Sequence, residues 1–175
     1  MAIQAALFRG INVGRNRRVS MADIRSVLEA QYEEVQTHGQ SGNVVLSATK
    51  SGKPLERELE RLMTAELGLE TRIVVRSGAE LARIVKRNPL GKVAKNPSRY
   101  LVTFLADKPD ASRVKALRED FGAEQAVLHG REVYSWHPAG LQRSKLAALI
   151  ADDLGTVGTA RNWNTVTKLH ALTSD

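Results

Sequence analysis

The 175-residue sequence contains no cysteine, few aromatic residues and no long hydrophobic run. The lack of cysteine excludes disulfides, thiol catalysis, iron–sulfur clusters and cysteine-bound zinc. No apolar run approaches the roughly 18 residues of a membrane span, so we expect no membrane partner. Aromatic residues make up 5%, while apolar (42%) and charged (26%) residues are present in ordinary proportions. The composition therefore indicates a soluble globular protein, and we expect it in the cytoplasm.

Positive charge is what the sequence has in excess. Lysine and arginine number 26 against 19 acidic residues, which gives a net charge of +7. Such an excess favours anionic partners, either phosphorylated small molecules or nucleic acid. The charge is spread evenly, however, at +4 over residues 1–90 and +3 over residues 91–175. A basic solvated surface without any such partner explains the excess equally well.

The first half of the chain predicts one complete β-α-β-β-α-β unit, the ferredoxin-like order. Helix one starts at the N-cap Ser20, and helix two runs from Pro54 to a stop at Gly68. A third helix over residues 77–87 starts with Ser77 and Glu80 as a capping pair. The four strands are predicted at "IQAALFRGI", "EEVQTH", "NVVLSA" and "TRIVVR".

The second half repeats the pattern as β-α-β-β-α. The strand "RYLVTFLA" precedes a helix at "DASRVKALREDFG", and "EQAVLH" and "EVYSWH" pair across a Gly130-Arg131 turn. The helix "RSKLAALIADDLG" follows, and a last helix in "TARNWNTVTKLHAL" begins at an Asn162 or Asn164 cap. The predicted fold is α+β, with duplicated ferredoxin-like units, antiparallel sheets and an added C-terminal helix.

The predicted domain organisation follows from this repeat. Residues 1–87 form the first unit with its extra helix, residues 88–98 form a linker with two prolines, and residues 99–175 form the second unit with the C-terminal helix. The two units can also pack as one compact domain at this chain length.

Established catalytic motifs do not occur in the sequence. The glycines fit neither the dinucleotide fingerprint nor the phosphate loop, and "GQSG" is not a nucleophile elbow. The histidines at positions 38, 129, 137 and 170 are isolated, so we predict no bound metal. We also predict no cofactor and leave open whether the protein is an enzyme.

Polar residues are instead concentrated in three separate segments, the first of them within "RGINVGRNRR". The candidate ligand-binding residues are Arg9, Asn12, Gly14, Asn16, Ser41, Gly42, Asn43, Arg161, Asn162 and Trp163. Arginine beside a helix N-terminus is typical of phosphate and carboxylate sites, because guanidinium binds such anions through two hydrogen bonds. The alternative is structural, since Arg and Asn also tie loops together through backbone carbonyls.

Aromatic residues in the second half allow a different function. Tyr134 and Trp136 share one face of their strand, and Tyr100 and Phe104 share one face of theirs. Such a face stacks bases in ferredoxin-like RNA-binding proteins. A face turned to the core is the more frequent reason for the pattern, so this is the minority interpretation.

The strings "QSGNVV", "VVRS", "RSKL" and above all "RNWNTV", together with the first loop, resemble the domain of unknown function 1697 family. These are small, mostly bacterial proteins, and the resemblance implies an α+β fold with ferredoxin-like parts. It carries no established activity. Arg15, His38-Gly39 and Leu90 depart from the family's usual residues. All the candidate ligand-binding residues match its pattern, as do Arg76 and Thr165.

These observations favour a pocket for an anionic, phosphorylated or nucleotide-like small ligand, formed where the three polar segments converge. The glycines at positions 10, 14 and 42 would allow close approach of the ligand to the backbone. The alternatives are a nucleic-acid-binding module that uses the basic surface and the Tyr134/Trp136 strand, and a protein-interaction or structural module.

Overall fold

The computed structural model describes residues 1–13, 18–152 and 154–174. Its chain forms two compact units, residues 1–83 with 169–175 (unit 1) and residues 84–168 (unit 2). The division falls inside two helices and not in the predicted linker at 88–98, whose residues belong to unit 2. No helix of the described residues is both long enough and apolar enough to cross a membrane.

Unit 1 has the ferredoxin-like arrangement that the sequence predicts. Its elements are β1 (Ala2–Phe8), α1 (Met21–Glu29), β2 (Glu33–His38), β3 (Asn43–Ala48), α2 (Gly52–Leu67), β4 (Ile73–Ser77) and the start of α3 (Gly78–Arg87). The strands pair in the order β2-β3-β1-β4, antiparallel throughout. This order places the end of β1 beside the start of β3 and the start of β4, so the connections there are neighbours.

The core of unit 1 lies between this sheet and helices α1 and α2. Leu55, Leu59 and Met63 follow each other at four-residue spacing, which places them on one helical face, and all three are fully buried. They pack in one cluster with Ala6 and Phe8, alternate residues of β1. The helical face predicted from the sequence is therefore the core face of α2.

Helices α1 and α3 start at the capping residues that the sequence predicts. Asp23 N donates to the Ser20 hydroxyl at 3.3 Å at the start of α1. At the start of α3, Ser77 N donates to Glu80 Oε2 at 2.8 Å and Glu80 N donates to Ser77 Oγ at 3.2 Å, a reciprocal capping box. These local hydrogen bonds satisfy backbone donors that the helix itself leaves open.

Unit 2 repeats the same topology. Its elements are the rest of α3, β5 (Tyr100–Leu105), α4 (Ala111–Val114) with a 3-10 turn at Lys115–Arg118, β6 (Gln125–His129), β7 (Glu132–Trp136), α5 (Lys145–Asp152), β8 (Gly158–Asn162) and the start of α6 (Trp163–Thr173). The strands pair in the order β6-β7-β5-β8, again antiparallel. The duplicated fold predicted from the sequence is confirmed.

The prediction for unit 2 nevertheless missed one strand and lengthened one helix. "GTARN" forms β8, although it lacks apolar alternation, because it pairs with β5 from Leu101 to Leu105. The predicted helix over "DASRVKALREDFG" stops at Arg118, and Glu119 is already extended. Gly122 N donates to Asp120 Oδ1 at 2.8 Å, so a local turn replaces the last helical residues.

Candidate functional site

Arg9 emerges directly from the end of β1 and is held there by its backbone. Arg9 N donates to Arg72 O at 2.9 Å, and Thr71 Oγ1 donates to Arg9 O at 2.9 Å. Both partners directly precede β4, the neighbour of β1 in the sheet. The backbone of Arg9 is therefore fixed while its side chain is exposed.

The Arg9 side chain lines a cleft of about 590 Å³ at this edge of unit 1. The cleft lies between the end of β1, the segment before β4 and the second half of α2. Its lining residues are Arg9, Glu60, Arg61, Thr64, Ala65, Glu70, Thr71 and Arg72. Three arginines against two glutamates leave one net positive charge. Only Arg9 of these residues was in the predicted set.

The ion pairs within the cleft do not use all three guanidinium groups. Glu60 Oε1 accepts from Ile73 N at 2.9 Å and lies 3.3 Å from Arg72 Nε, so this carboxylate holds Arg72 against the start of β4. In the described part of the chain, the guanidinium groups of Arg9 and Arg61 form no ion pair. Two cationic groups in one cleft are thus open to an anion.

Asn12 ties the first loop to the β2–β3 hairpin. Asn12 Nδ2 donates to Gln40 O at 2.9 Å, and Val19 N donates to Asn12 Oδ1 at 2.8 Å. The residue has φ +54°, a left-handed conformation that asparagine tolerates better than most residues. Its amide therefore organises the loop that follows Arg9. Gly14 and Asn16, two further candidates, lie outside the described residues.

The candidate residues of the β2–β3 hairpin also hold the backbone of the hairpin in place. Asn43 is 1% exposed, and its Nδ2 donates to His38 O at 3.0 Å and to Ser41 Oγ at 3.2 Å. An alanine Cβ at Gly42 would lie 2.5 Å from Phe8 Cβ. The glycine is thus required by the packing of the hairpin against β1, where the sequence suggested room for a ligand.

The third predicted segment lies in unit 2, where Arg161 and Asn162 end β8 and Trp163 begins α6. Arg161 lies within β8 and is 7% exposed, and its Nη1 donates to Thr159 Oγ1 at 2.6 Å and to Ala160 O at 2.9 Å. Burial lowers the pKa of Arg161 to about 10, so the group still carries its charge at neutral pH. Trp163 stacks on Tyr100 with ring centroids 4.7 Å apart.

Asn162 caps α6, since Thr165 N donates to its Oδ1 at 3.0 Å. We expect Asn162→Ala to lower the free energy of unfolding by about 1 kcal/mol, because Thr165 N, a donor in the first turn of α6, loses its acceptor. Asn164→Ala is the matched control, because among the described residues its amide reaches Ser98 Oγ alone, at 3.5 Å. Urea unfolding of both variants checks this, and equal losses would contradict the assignment of the cap.

Arg76 is fully buried in β4. The sequence alone did not explain an arginine at this position. Phe8 pairs with Ile73 in unit 1 as Leu105 pairs with Gly158 in unit 2. Counting three residues on from Ile73 and Gly158 gives Arg76 and Arg161, so the two arginines occupy equivalent positions. Arg76 Nη1 donates to the carbonyl of the preceding residue at 3.0 Å, as Arg161 Nη1 does. The duplication thus extends to one buried arginine in each unit.

Three of the four aromatic residues that the sequence suggests as a base-stacking platform are buried in the structure. Tyr134 is 0% exposed, and its hydroxyl donates to Ile84 O at 3.0 Å. Tyr100 is 1% exposed and Phe104 is 0% exposed. Because stacking requires an open ring face, a base has no access to these rings. Tyr100, Phe104 and Tyr134 therefore belong to the core, whereas Trp136, the other residue of the predicted platform, is only half-buried.

His137 is the largest omission of the sequence interpretation, which treated it as isolated. The side chain is 0% exposed, its Nδ1 lies 2.6 Å from Glu124 Oε2, and its Nε2 lies 2.7 Å from Ser135 Oγ. Ser144 Oγ, 3.0 Å from Nδ1, donates to Glu124 and accepts from Ala147 N at 2.9 Å. The histidine therefore connects β7, the start of α5 and the segment before β6. Only the alternation Ser135-x-His137 within a strand hinted at this.

Two consecutive units, each a four-stranded antiparallel sheet in ferredoxin-like order, make this a duplicated ferredoxin-like α+β protein. The chain belongs to the family described as protein of unknown function (DUF1697), which matches residues 1–134. The match ends before "RSKL" and "RNWNTV". The conserved bacterial protein SP0830 from Streptococcus pneumoniae has a similar structure, with a TM-score of 0.77, 20% sequence identity and 98% of each chain covered. No curated protein matches the sequence.

Proposed function

We propose that the protein binds a small anionic ligand, a phosphorylated metabolite or nucleotide, in the unit 1 cleft at Arg9 and Arg61. The observation that supports the proposal is the presence of two exposed guanidinium groups in one cleft without ion pairs among the described residues. The planar fork of guanidinium matches phosphate and carboxylate oxygens, so each arginine offers paired hydrogen bonds to such a ligand.

The shape of the cleft is compatible with this role. A volume of about 590 Å³ lies in the range of small-molecule sites. Thr64 Oγ1 donates to Glu60 O at 3.1 Å and Thr71 Oγ1 to Arg9 O at 2.9 Å, so both hydroxyl protons are already used. Recognition in the proposal therefore depends on charge, with Arg9 and Arg61 as the contacts and Arg72 as a third, partly neutralised cation.

The other predicted residues take a different part in this proposal. Asn12 and Asn43 position the loop and the hairpin next to the end of β1, and do not themselves contact the ligand. For Gly14, Asn16, Arg161, Asn162 and Trp163, a contribution to ligand binding stays a prediction. A cytoplasmic location is likewise part of the proposal, since the chain carries no cysteine.

The test is a thermal-shift and calorimetric titration with pyrophosphate, AMP and a sugar phosphate at low salt. A ligand at 100 times its Kd should stabilise the protein by about 2.7 kcal/mol. We expect Arg9→Ala and Arg61→Ala to weaken binding about tenfold each, because each removes a charged hydrogen-bond donor. Arg57→Ala is the matched control, one turn earlier on α2, exposed and outside the cleft lining.

Three outcomes would contradict the proposal. Equal effects of Arg57→Ala and Arg61→Ala would mean that general surface charge, and not the cleft, attracts the ligand. Binding only to short RNA or DNA, lost steeply as salt rises, would favour the nucleic-acid alternative on the basic surface. Absence of a shift with every anion would leave the protein-interaction alternative.

A further inference from the structure

A second cleft, of about 470 Å³, lies within unit 2 at the connection between β5 and α4. It is bounded by the 3-10 turn after α4 and by the β6–β7 hairpin. Three cations line it, Lys108, Lys115 and Arg118, and no acidic residue does. The cleft therefore carries a denser positive charge than the one in unit 1, although no part of the predicted set is in it.

The cations of this cleft are not neutralised by their neighbours. Across residues 1–13, 18–152 and 154–174, none of the three forms an ion pair. Asp107 and Glu119 adjoin Lys108 and Arg118 in sequence but do not line the cleft. Asp110 is engaged elsewhere: its Oδ1 accepts from Ser112 N at 3.2 Å, and its Oδ2 lies 3.9 Å from Arg113 Nε. The side chains that line the cleft thus carry a charge of +3.

The rest of the lining is apolar. Pro109, Val114 and Leu128 contribute to it, and each is only partly buried. An inorganic anion would contact the cations alone and leave this apolar surface in water. A ligand with an anionic end and an apolar body would cover both parts, and burying the apolar surface is favourable in proportion to its area.

The unit 2 cleft lies at the connection that follows the first strand of its unit. Leu105 N donates to Arg131 O at 2.8 Å in unit 2, just as Phe8 N donates to Gly42 O at 2.8 Å in unit 1. In both units the connection after the first strand thus starts beside the hairpin turn. The two connections differ in charge, because four arginines lie between β1 and α1, whereas Lys108 lies between Asp107 and Asp110 in the connection from β5 to α4.

We propose that the unit 2 cleft binds a small amphiphilic organic anion, namely a phosphate or carboxylate attached to an aromatic or aliphatic body. Lys108, Lys115 and Arg118 bind the anionic group, and Val114 and Leu128 contact the body. This site is separate from the one proposed in unit 1, which recognises charge alone.

The experiment is an NMR titration of the full chain with phenyl phosphate, inorganic phosphate and phenol. We expect phenyl phosphate to bind about tenfold more tightly than inorganic phosphate, since the ring buries apolar surface. Phenol should not saturate the site, and the amide shifts should fall at residues 108–118 and 128–130. Lys115→Ala and Arg118→Ala should each weaken phenyl phosphate binding about tenfold.

Arg113→Ala is the matched control, because Arg113 lies on α4, directly before the 3-10 turn, but pairs with Asp110 and does not line the cleft. Leu128→Thr, which keeps a strand-forming residue, should reduce the preference for phenyl phosphate and leave the affinity for inorganic phosphate unchanged. Equal affinities for the two phosphates, equal losses in Arg113→Ala, or shifts confined to the Arg9 and Arg61 cleft would each overturn the proposal. So would binding to phosphatidylglycerol vesicles without saturable binding of phenyl phosphate.

Discussion

Gly42→Ala is expected to lower the free energy of unfolding by about 3 kcal/mol, for two physical reasons. The backbone φ of +88° is unfavourable for an L-residue. The new Cβ would also lie 2.5 Å from Phe8 Cβ and 2.8 Å from Ile11 Cδ1. Phe8 and Ile11 are buried, so neither can move away without shifting β1 or the loop that carries Arg9. Chemical denaturation followed by circular dichroism measures the effect.

Gly39→Ala separates the two causes within the same hairpin. Gly39 has φ +67°, but its added Cβ would meet no atom within 4 Å. This control should therefore cost only about 1 kcal/mol, the conformational part. A Gly42→Ala protein as stable as the Gly39→Ala protein would refute the packing role and restore the interpretation that the glycine makes room for a ligand.

His137→Ala is expected to be about as destabilising, at about 3 kcal/mol, because it removes the partner of the buried Ser135 and of the partly buried Glu124. An ionised Glu124 can only accept, so Nδ1 carries the proton toward it, and in the neutral imidazole Nε2 then accepts from the Ser135 hydroxyl. Without the imidazole, Ser135 loses this partner in a fully buried position and a cavity forms. The melting temperature should fall by about 6 to 12 °C.

His129→Ala is the control for this second prediction. His129 ends β6 in an exposed position, and its removal should change stability by less than about 0.5 kcal/mol. Ser135→Ala should cost less than His137→Ala, since the histidine keeps its bond to Glu124. If the His137→Ala protein has the same melting temperature as the His129→Ala protein, the buried cluster does not stabilise unit 2.

Much of the fold was predictable because its signals are local. The Ser77-x-x-Glu80 pair caps α3 through hydrogen bonds within four residues, and the four-residue spacing of Leu55 and Leu59 marks the core face of α2. By contrast, β8 was missed because nothing within "GTARN" indicates a strand. Its backbone is extended through pairing with β5, more than fifty residues earlier.

The candidate site was predictable only in part for the same reason. Arg9 is conspicuous in "RGINVGRNRR". Arg61, by contrast, is one of two exposed arginines on α2, and no local pattern distinguishes it from the other, Arg57. Likewise, Asn12 and Arg9 are both polar residues of the first loop, so the sequence does not distinguish a ligand contact from a structural residue. Hydrogen bonds to Gln40 and Val19 give Asn12 a backbone role, whereas Arg9 keeps its side chain in the cleft.

The sequence by itself determined the class of fold, the duplication and the helix starts, since hydrophobic periodicity and capping residues act over a few positions. Only the tertiary structure decided which side chains meet. Antiparallel pairing of β1 with β4 placed Arg9 beside Arg72, and the packing of α2 added Arg61. His137 obtained Glu124 and Ser144 from segments on either side of β7. Clefts and buried networks depend on distances across the sheet, which no local pattern of residues encodes.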